Sequence, residues 1–231
     1  MEPAILLSIL DYEEELSKSI SLEKSEHYYL IRSLLSLVQG IHIDLIRPPY
    51  SEELRFPDNL VEKLCMGFSD STVELHIMAE DPIQTFKSVE SSLRRTSNPT
   101  VSLHLESSKS DDETIADLKK VRLSGCRAGI VLDLRTPTSL LRTPIVENAD
   151  FIQVMSVQAG EGGRKFDPAS LSKIKRVRAK YPRMKLEVDG GIDEDSGRMC
   201  LEAGADVLII GSRITRSPDP FSTVKSIKRK L

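Results

Sequence analysis

The chain has 231 residues, of which 39% are hydrophobic, and a formal net charge of −3. No apolar run approaches the roughly 20 residues of a membrane helix, and the dispersed basic residues argue against a nucleic-acid partner. Cys65, Cys126 and Cys200 are too far apart for a disulfide framework or a CxxC metal site, and the acidic N-terminal region is unlike a signal peptide, so we expect a cytoplasmic protein.

Short apolar runs alternate with amphipathic stretches along the chain, which predicts strands and helices in alternation. The predicted strands are residues 4–9, 41–46, 72–78, 100–105, 128–133, 151–157, 185–189 and 206–211. The predicted helices are residues 58–66, 82–93, 111–124, 138–146, 168–180, 193–203 and 218–230. Several of these helices open with Pro or Asp, as helix starts often do.

Eight βα repeats predict an α/β fold, a closed (β/α)8 TIM barrel that forms one domain over residues 1–231. Segment 11–40, before the second strand, is long for one helix and Ser-rich in its middle, so we expect an extended first crossover with a helix, a loop and a second helix. A doubly wound open sheet is the main alternative, but it usually has fewer strands, and no GxGxxG follows the first strand.

Two histidines and two aspartates lie at or near the carboxyl ends of predicted strands: His42, Asp44, His76 and Asp189. His42 and Asp44 are two residues apart and therefore point to the same face of their strand. Such buried groups are costly unless they pair with one another or bind a metal. Because the strand ends of a barrel surround its active site, we expect these four groups to converge.

A mixed set of histidines and carboxylates suits Zn²⁺, Mn²⁺, Fe²⁺ or Co²⁺, and the ligand types do not select among these metals. His104, near the end of the fourth predicted strand, is a further candidate in the same layer. For each histidine taken alone, a hydrogen-bonded core position is the alternative.

Glycine-rich turns follow the last three predicted strands. They contain Gly160, Gly162 and Gly163 around Glu161, then Gly190 and Gly191, and finally Gly211 with Ser212. Barrels commonly bind phosphate in the loops after strands seven and eight, and glycine lets backbone N–H groups approach an anion closely. Tight βα turns also need glycine, so turn formation alone is the alternative for each loop.

Four segments resemble the ribulose-phosphate 3-epimerase family in order and spacing: HIMAEDP, VMSVQAGEGGRKF, EVDGGI and ADVLIIGS. The likeness extends over nearly the whole chain, and it is weakest in segment 11–40 and around Arg47. The resemblance implies that one divalent metal ion is held by His42, Asp44, His76 and Asp189.

The resemblance also implies the chemistry. Asp44 would remove a proton from one face of carbon 3 and Asp189 would return one to the other face, through an enediolate that the metal stabilises. Met78 and Met155 would line the pocket, with ordinary core packing as the alternative. The substrate phosphate would be received by Gly160, Glu161, Gly162, Gly163, Gly190, Gly191, Gly211 and Ser212.

Three departures from the family pattern concern the substrate shell. Ala4 stands where the family has a substrate-contacting serine, so one hydroxyl is missing unless Ser8 replaces it. The loop that follows Asp44, Arg47 to Tyr50, differs from the family's loop. Glu161 places a negative charge where phosphate would approach, at a cost of roughly 1 kcal/mol if the charges are solvated. Three arginines could offset that charge: Arg47, Arg164 and Arg213.

The expected function is therefore a metal-dependent 3-epimerase of a ketose phosphate, with D-ribulose 5-phosphate and D-xylulose 5-phosphate of the pentose phosphate pathway as the leading pair. The altered loops leave open another pentulose or hexulose phosphate. A non-catalytic relative that binds metal or a partner is a third alternative, but the presence of both aspartates argues against it. Segment 11–40 is where subunits of a homo-oligomer could meet.

Overall fold

Eight parallel strands close into a barrel in the computed structural model of the protein, which describes residues 4–160 and 162–231. Each strand pairs with its neighbours in sequence, and the first strand pairs with the last. The strands are β1 Ala4–Ser8, β2 Gly40–Ile46, β3 Thr72–Met78, β4 Asn98–His104, β5 Arg127–Leu132, β6 Phe151–Met155, β7 Lys185–Asp189 and β8 Val207–Ile210. The predicted (β/α)8 barrel is confirmed, and the open sheet is excluded.

Helices cover the outside of the barrel between the strands. In the described part of the chain they are α1 Glu13–Lys18, α2 Glu26–Leu34, α3 Asp58–Gly67, α4 Pro82–Leu93, α5 Asp111–Leu123, α6 Thr143–Val146, α7 Ala169–Lys180, α8 Glu194–Ala203, α9 Ser212–Thr215 and α10 Pro220–Lys230. None of these helices is long and apolar enough to cross a bilayer.

Local sequence signals account for most of these boundaries. The Asp81 side chain accepts a hydrogen bond from the Gln84 N–H and caps α4, which begins at Pro82. Asp193 and Ser196 form a capping box at the start of α8, and Gly204, with φ of 112°, ends this helix. Predicted and observed bounds coincide for α4, β3 and β7.

The first crossover contains two helices, α1 and α2, separated by a short 3-10 turn, as predicted for segment 11–40. The fifth crossover differs from its prediction, because the helix expected at 138–146 is a 3-10 turn, Thr138–Leu140, followed by the four-residue α6. Pro144 explains the interruption, since it lacks an N–H and its ring clashes with the carbonyl four residues earlier. The short helix α9 was not predicted.

Strand register sets the positions of the polar groups at the barrel mouth. Asp44 of β2 lies beside His76 of β3, and Asp189 of β7 lies beside Met155 of β6. All seven residues of β2 are buried, as is usual for a parallel sheet covered by helices. The barrel thus holds charged side chains in an environment that water hardly reaches.

Candidate active site

The structure brings His42, Asp44, His76 and Asp189 together: one ligand atom from each lies within 4.8 Å of the others. His42 Nε2 is 3.3 Å from Asp44 Oδ1 and 3.7 Å from Asp189 Oδ2. His76 Nδ1 is 3.2 Å and 3.5 Å from the same two oxygens. His42 lies near the middle of β2 rather than at its end, and Asp44 lies nearer the mouth.

These distances fit a metal ion. Four donors placed tetrahedrally at about 2.1 Å from one ion are about 3.4 Å apart. The four nitrogen–oxygen distances, from 3.2 to 3.7 Å, match that spacing. Two imidazoles and two carboxylates are also a donor set that borderline divalent metals accept.

The carboxylates and imidazoles change each other's pKa values. Burial lowers the pKa of His42, but Asp44, Glu74 and Asp189 together hold it well above its usual range. Burial likewise lowers the pKa of His76, and Asp189 and Asp44 outweigh that effect. Burial raises the pKa of Asp44, yet the two histidines bring it below its ordinary value. The two buried carboxylates therefore favour positive charge beside them.

Three residues outside the predicted set hold this centre in place. Glu74 Oε1 lies 2.9 Å from His42 Nδ1 and accepts its proton, which leaves Nε2 bare toward the aspartates. Gln153 Nε2 lies 3.4 Å from Asp189 Oδ2, while Gln153 Oε1 has no partner among the described residues. Ser8 Oγ donates to Asp44 Oδ2 over 3.0 Å. Alternation of polar residues in the strands could have indicated Glu74 and Gln153.

Ser8 corrects the expectation of a missing hydroxyl. It is the last residue of β1, is 7% exposed and borders the cleft above the four groups. Ala4 begins the same strand and packs on Leu6, Val207 and Ile209, away from the site. Only the carboxyl end of a barrel strand reaches the mouth, so Ser8, and not a residue at position 4, supplies the hydroxyl.

A cleft with about 650 Å³ of empty space opens above Asp44 and Asp189. The predicted pocket and phosphate residues that border it are Met78, Met155, Gly160, Gly162, Gly163, Gly190, Gly191, Gly211 and Ser212. His42 and His76 are fully buried beneath it. The prediction for Glu161 lies outside the described residues.

Two of the rim glycines are also required by the fold itself. A Cβ on Gly160 would lie 2.3 Å from the carbonyl oxygen of Tyr50, and one on Gly191 would lie 2.3 Å from Phe166 N. Both have positive φ, 108° and 63°, which glycine adopts at little cost. Their presence is thus explained without a ligand. Gly211 and Ser212 open α9, whose first N–H groups lack acceptors within the helix.

The three candidate arginines differ in what they contact. Arg47 donates to Phe56 O and to Asp58 Oδ1, each at 3.0 Å, and so fixes the loop that follows β2. Arg213 forms a two-bond pair with Glu194, at 2.8 and 2.6 Å. Arg164 borders the cleft. Of the three, only Arg164 lines the proposed phosphate position.

His104 lies beside the four-residue centre without joining it. Its Nε2 is 2.8 Å from His76 Nε2 and its Nδ1 is 3.2 Å from Glu106 Oε2. The ring of Tyr50 covers it, with 5.1 Å between ring centroids. The altered loop after β2 therefore closes the β4 side of the mouth.

Comparison with known proteins gives a consistent result. A family model described as the ribulose-phosphate 3 epimerase family matches residues 19–215, which include all four central residues. Ribulose-phosphate 3-epimerase 2 of Cupriavidus necator is 29% identical over 83% of this chain and 79% of its own length. Ribulose-phosphate 3-epimerase of Escherichia coli K12 is 27% identical over 87% of each chain.

Solved structures with lower identity share the fold. KGPDC from Streptococcus mutans, solved in complex with ribose 5-phosphate, superposes with a TM-score of 0.71 at 14% identity, over 100% of this chain and 97% of that one. A 3-hexulose-6-phosphate synthase covers both chains completely, with a TM-score of 0.67 at 15% identity. At these identities the likeness establishes the barrel architecture.

Proposed function

Because the chain belongs to the ribulose-phosphate 3-epimerase family, and is thus an isomerase of the epimerase class, we propose that it inverts carbon 3 of a ketose phosphate. D-ribulose 5-phosphate and D-xylulose 5-phosphate are the leading pair. One observation carries the proposal: the carboxylates of Asp44 and Asp189 border one cleft, and each contacts both His42 and His76.

The two aspartates have the placement that proton transfer on opposite faces needs. Asp44 comes from β2 and Asp189 from β7, with β8 and β1 between them in the barrel. Inversion next to a ketone needs a base at one face and an acid at the other. We assign the base to Asp44 and the acid to Asp189 in one direction, with exchanged roles in reverse. Ser8 orients Asp44 by donating to the oxygen that does not face the histidines.

His42, Asp44, His76 and Asp189 would hold one divalent ion, Zn²⁺, Fe²⁺, Mn²⁺ or Co²⁺. When bound, it would supply Lewis-acid stabilisation of the negative charge that develops on the substrate. The protein contributes burial, because both histidines have no exposed surface and water would weaken every charge interaction at the centre.

The remaining cleft residues would bind the rest of the sugar phosphate. Met78 and Met155 would present apolar sulfur to the reacting carbons, and each is 3% exposed. Backbone N–H groups of the loops after β6, β7 and β8 would receive the phosphate. This assignment is supported by the glycines that border the cleft and by a structural neighbour solved with ribose 5-phosphate.

Another pentulose phosphate or a hexulose phosphate is the second candidate substrate. The loop after β2 supports it, since Tyr50 packs on both His104 and Gly160 and so changes one wall of the mouth. We further propose that residues 1–231 act as one barrel unit in the cytoplasm, in keeping with three free buried thiols at Cys65, Cys126 and Cys200.

A panel of pentulose and hexulose phosphates tests the proposal. Metal-loaded protein should convert at least one of them to its carbon-3 epimer, and NMR of the product mixture identifies which. The Asp189→Asn variant, loaded with the same metal, is the control for contaminating activity. Metal-loaded protein that epimerises no member of the panel would contradict the proposal.

A further inference from the structure

We propose that Glu106 and His104 form a hydrogen-bonded relay that orients His76 and keeps its Nδ1 free of a proton, facing the metal position. The relay rests on the proposed metal centre and assigns positioning roles to two residues that are not metal ligands. Neither residue borders the cleft, so they act through His76 and not on the substrate.

The two histidine rings meet edge to edge. His76 Nε2 is 2.8 Å from His104 Nε2, the ring planes differ by 12° and the centroids are 5.0 Å apart. An imidazole nitrogen lies about 1.2 Å from its ring centre, so a nitrogen-to-nitrogen contact of this length within one plane gives about 5 Å between centroids. The contact is therefore a hydrogen bond in the ring plane and not a face-to-face stack.

A hydrogen bond between two ring nitrogens requires that one carry a proton and the other be bare. Its direction decides the state of the opposite edge of His76. If His76 Nε2 donates, the neutral ring has a bare Nδ1, which lies 3.2 Å from Asp44 Oδ1 and 3.5 Å from Asp189 Oδ2. If His76 Nε2 accepts, the proton sits on Nδ1 and blocks metal binding.

Glu106 sets this direction. Its Oε2 lies 3.2 Å from His104 Nδ1, while its Oε1 accepts from the Asp133 N–H at 3.0 Å and from the Thr136 hydroxyl. An ionised carboxylate only accepts, so the proton of His104 is on Nδ1. His104 Nε2 is then bare, and His76 must donate to it.

Both candidate metal-binding histidines thus end in a carboxylate on their outer side. His42 presents Nε2 to the aspartates and donates from Nδ1 directly to Glu74, at 2.9 Å. His76 presents Nδ1 and reaches its carboxylate, Glu106, through His104. Metal-binding histidines generally donate their second N–H to a carboxylate, a carbonyl or water, which fixes the ring and its tautomer.

The Glu106→Gln variant tests the direction of the relay. The Asp133 N–H and the Thr136 hydroxyl hold the amide oxygen at the position of Oε1, so the NH₂ group faces His104 Nδ1. The relay then reverses, and a proton occupies His76 Nδ1. Zinc binding, measured by competition with a chromophoric chelator, should weaken roughly 10–100-fold. The control is Glu62→Gln, an exposed position on α3, which should bind zinc as the unmodified protein does.

Two variants at His104 separate positioning from packing. His104→Gln can still accept from His76 Nε2 through its amide oxygen, whereas His104→Leu cannot. We expect His104→Gln to bind zinc roughly tenfold more tightly than His104→Leu. Equal zinc affinities would assign His104 to packing alone and overturn the relay.

Nitrogen NMR of zinc-loaded, ¹⁵N-histidine-labelled protein reads the tautomers directly, and the chain has only four histidines. The relay requires a proton on His76 Nε2 and on His104 Nδ1. A proton on His104 Nε2, or unchanged zinc affinity in Glu106→Gln, would overturn it while leaving the metal centre intact. If the unmodified protein binds no zinc, manganese, iron or cobalt, the proposed metal centre fails first, and the relay with it.

Discussion

The centre and the rim of the barrel mouth are built in different ways. At the centre, His42, Asp44 and His76 are side chains on adjacent strands, are nearly inaccessible and contact one another in pairs. At the rim, the predicted phosphate residues lie mostly on loops and are partly or fully exposed, as Gly162 and Gly191 are. Strand register fixes the centre, whereas the loops can change with little effect on it. We therefore expect changes at the centre to abolish chemistry and changes at the rim to alter stability or substrate choice.

The largest effect should follow loss of a central histidine. His42→Ala or His76→Ala removes one of four donors, and zinc affinity should fall by more than the roughly 10–100-fold typical of outer partners. Chelator competition measures this affinity. His27→Ala is the matched control, because His27 lies on α2 against Tyr12. Zinc affinity that stays the same in both central variants would make the two histidines core residues and erase the distinction between centre and rim.

A smaller effect is expected at the rim, on stability. Gly191→Ala forces φ of 63° on a residue with a Cβ and places that atom 2.3 Å from Phe166 N, which should lower the free energy of unfolding by about 1–3 kcal/mol. In Gly162→Ala, the new Cβ meets only the end of the Leu10 side chain, so the loss should be smaller. Chemical denaturation compares the two variants. If Gly162→Ala were the more destabilised, strain would not explain the rim glycine at 191.

The smallest effects concern the hydroxyl at the edge of the centre. Ser8→Ala removes a hydrogen bond to the charged Asp44, and kcat/KM should fall roughly tenfold. Ala4→Ser adds a hydroxyl at the far end of β1 and should leave kcat/KM unchanged. Steady-state kinetics on the preferred substrate checks both. A gain in kcat/KM for Ala4→Ser would restore the assignment made from the sequence pattern.

Much of the centre could be predicted from the sequence, because strand alternation and the geometry of strand ends are local rules. His42 and Asp44 share a strand face whatever the rest of the fold does. The position of the functional serine depended on where β1 ends, which the short apolar run around Ser8 did not reveal. The residues most distant from prediction were His104 and Glu106, since their role depends on contacts between separate strands and on the direction of a hydrogen bond.

The rim was less predictable for a different reason. A glycine pattern looks the same whether a turn, a close backbone approach or an anion requires it, and the structure supplies a close approach for Gly160 and Gly191. Arg47 and Arg213 are committed to Asp58 and Glu194, contacts that no sequence spacing indicates. The helix break at Pro144, in contrast, was readable from the residue itself.

Solvent-proton exchange at carbon 3 tests the central claim most directly. Metal-loaded protein incubated with D-ribulose 5-phosphate in D₂O should introduce deuterium at carbon 3 of both epimers, as NMR or mass spectrometry detects. Asp44→Asn and Asp189→Asn should lower the rate of epimerisation with exchange by roughly 10²–10⁴-fold while the fold is kept. Absence of deuterium at carbon 3 in every ketose phosphate offered, despite bound metal, would contradict the account.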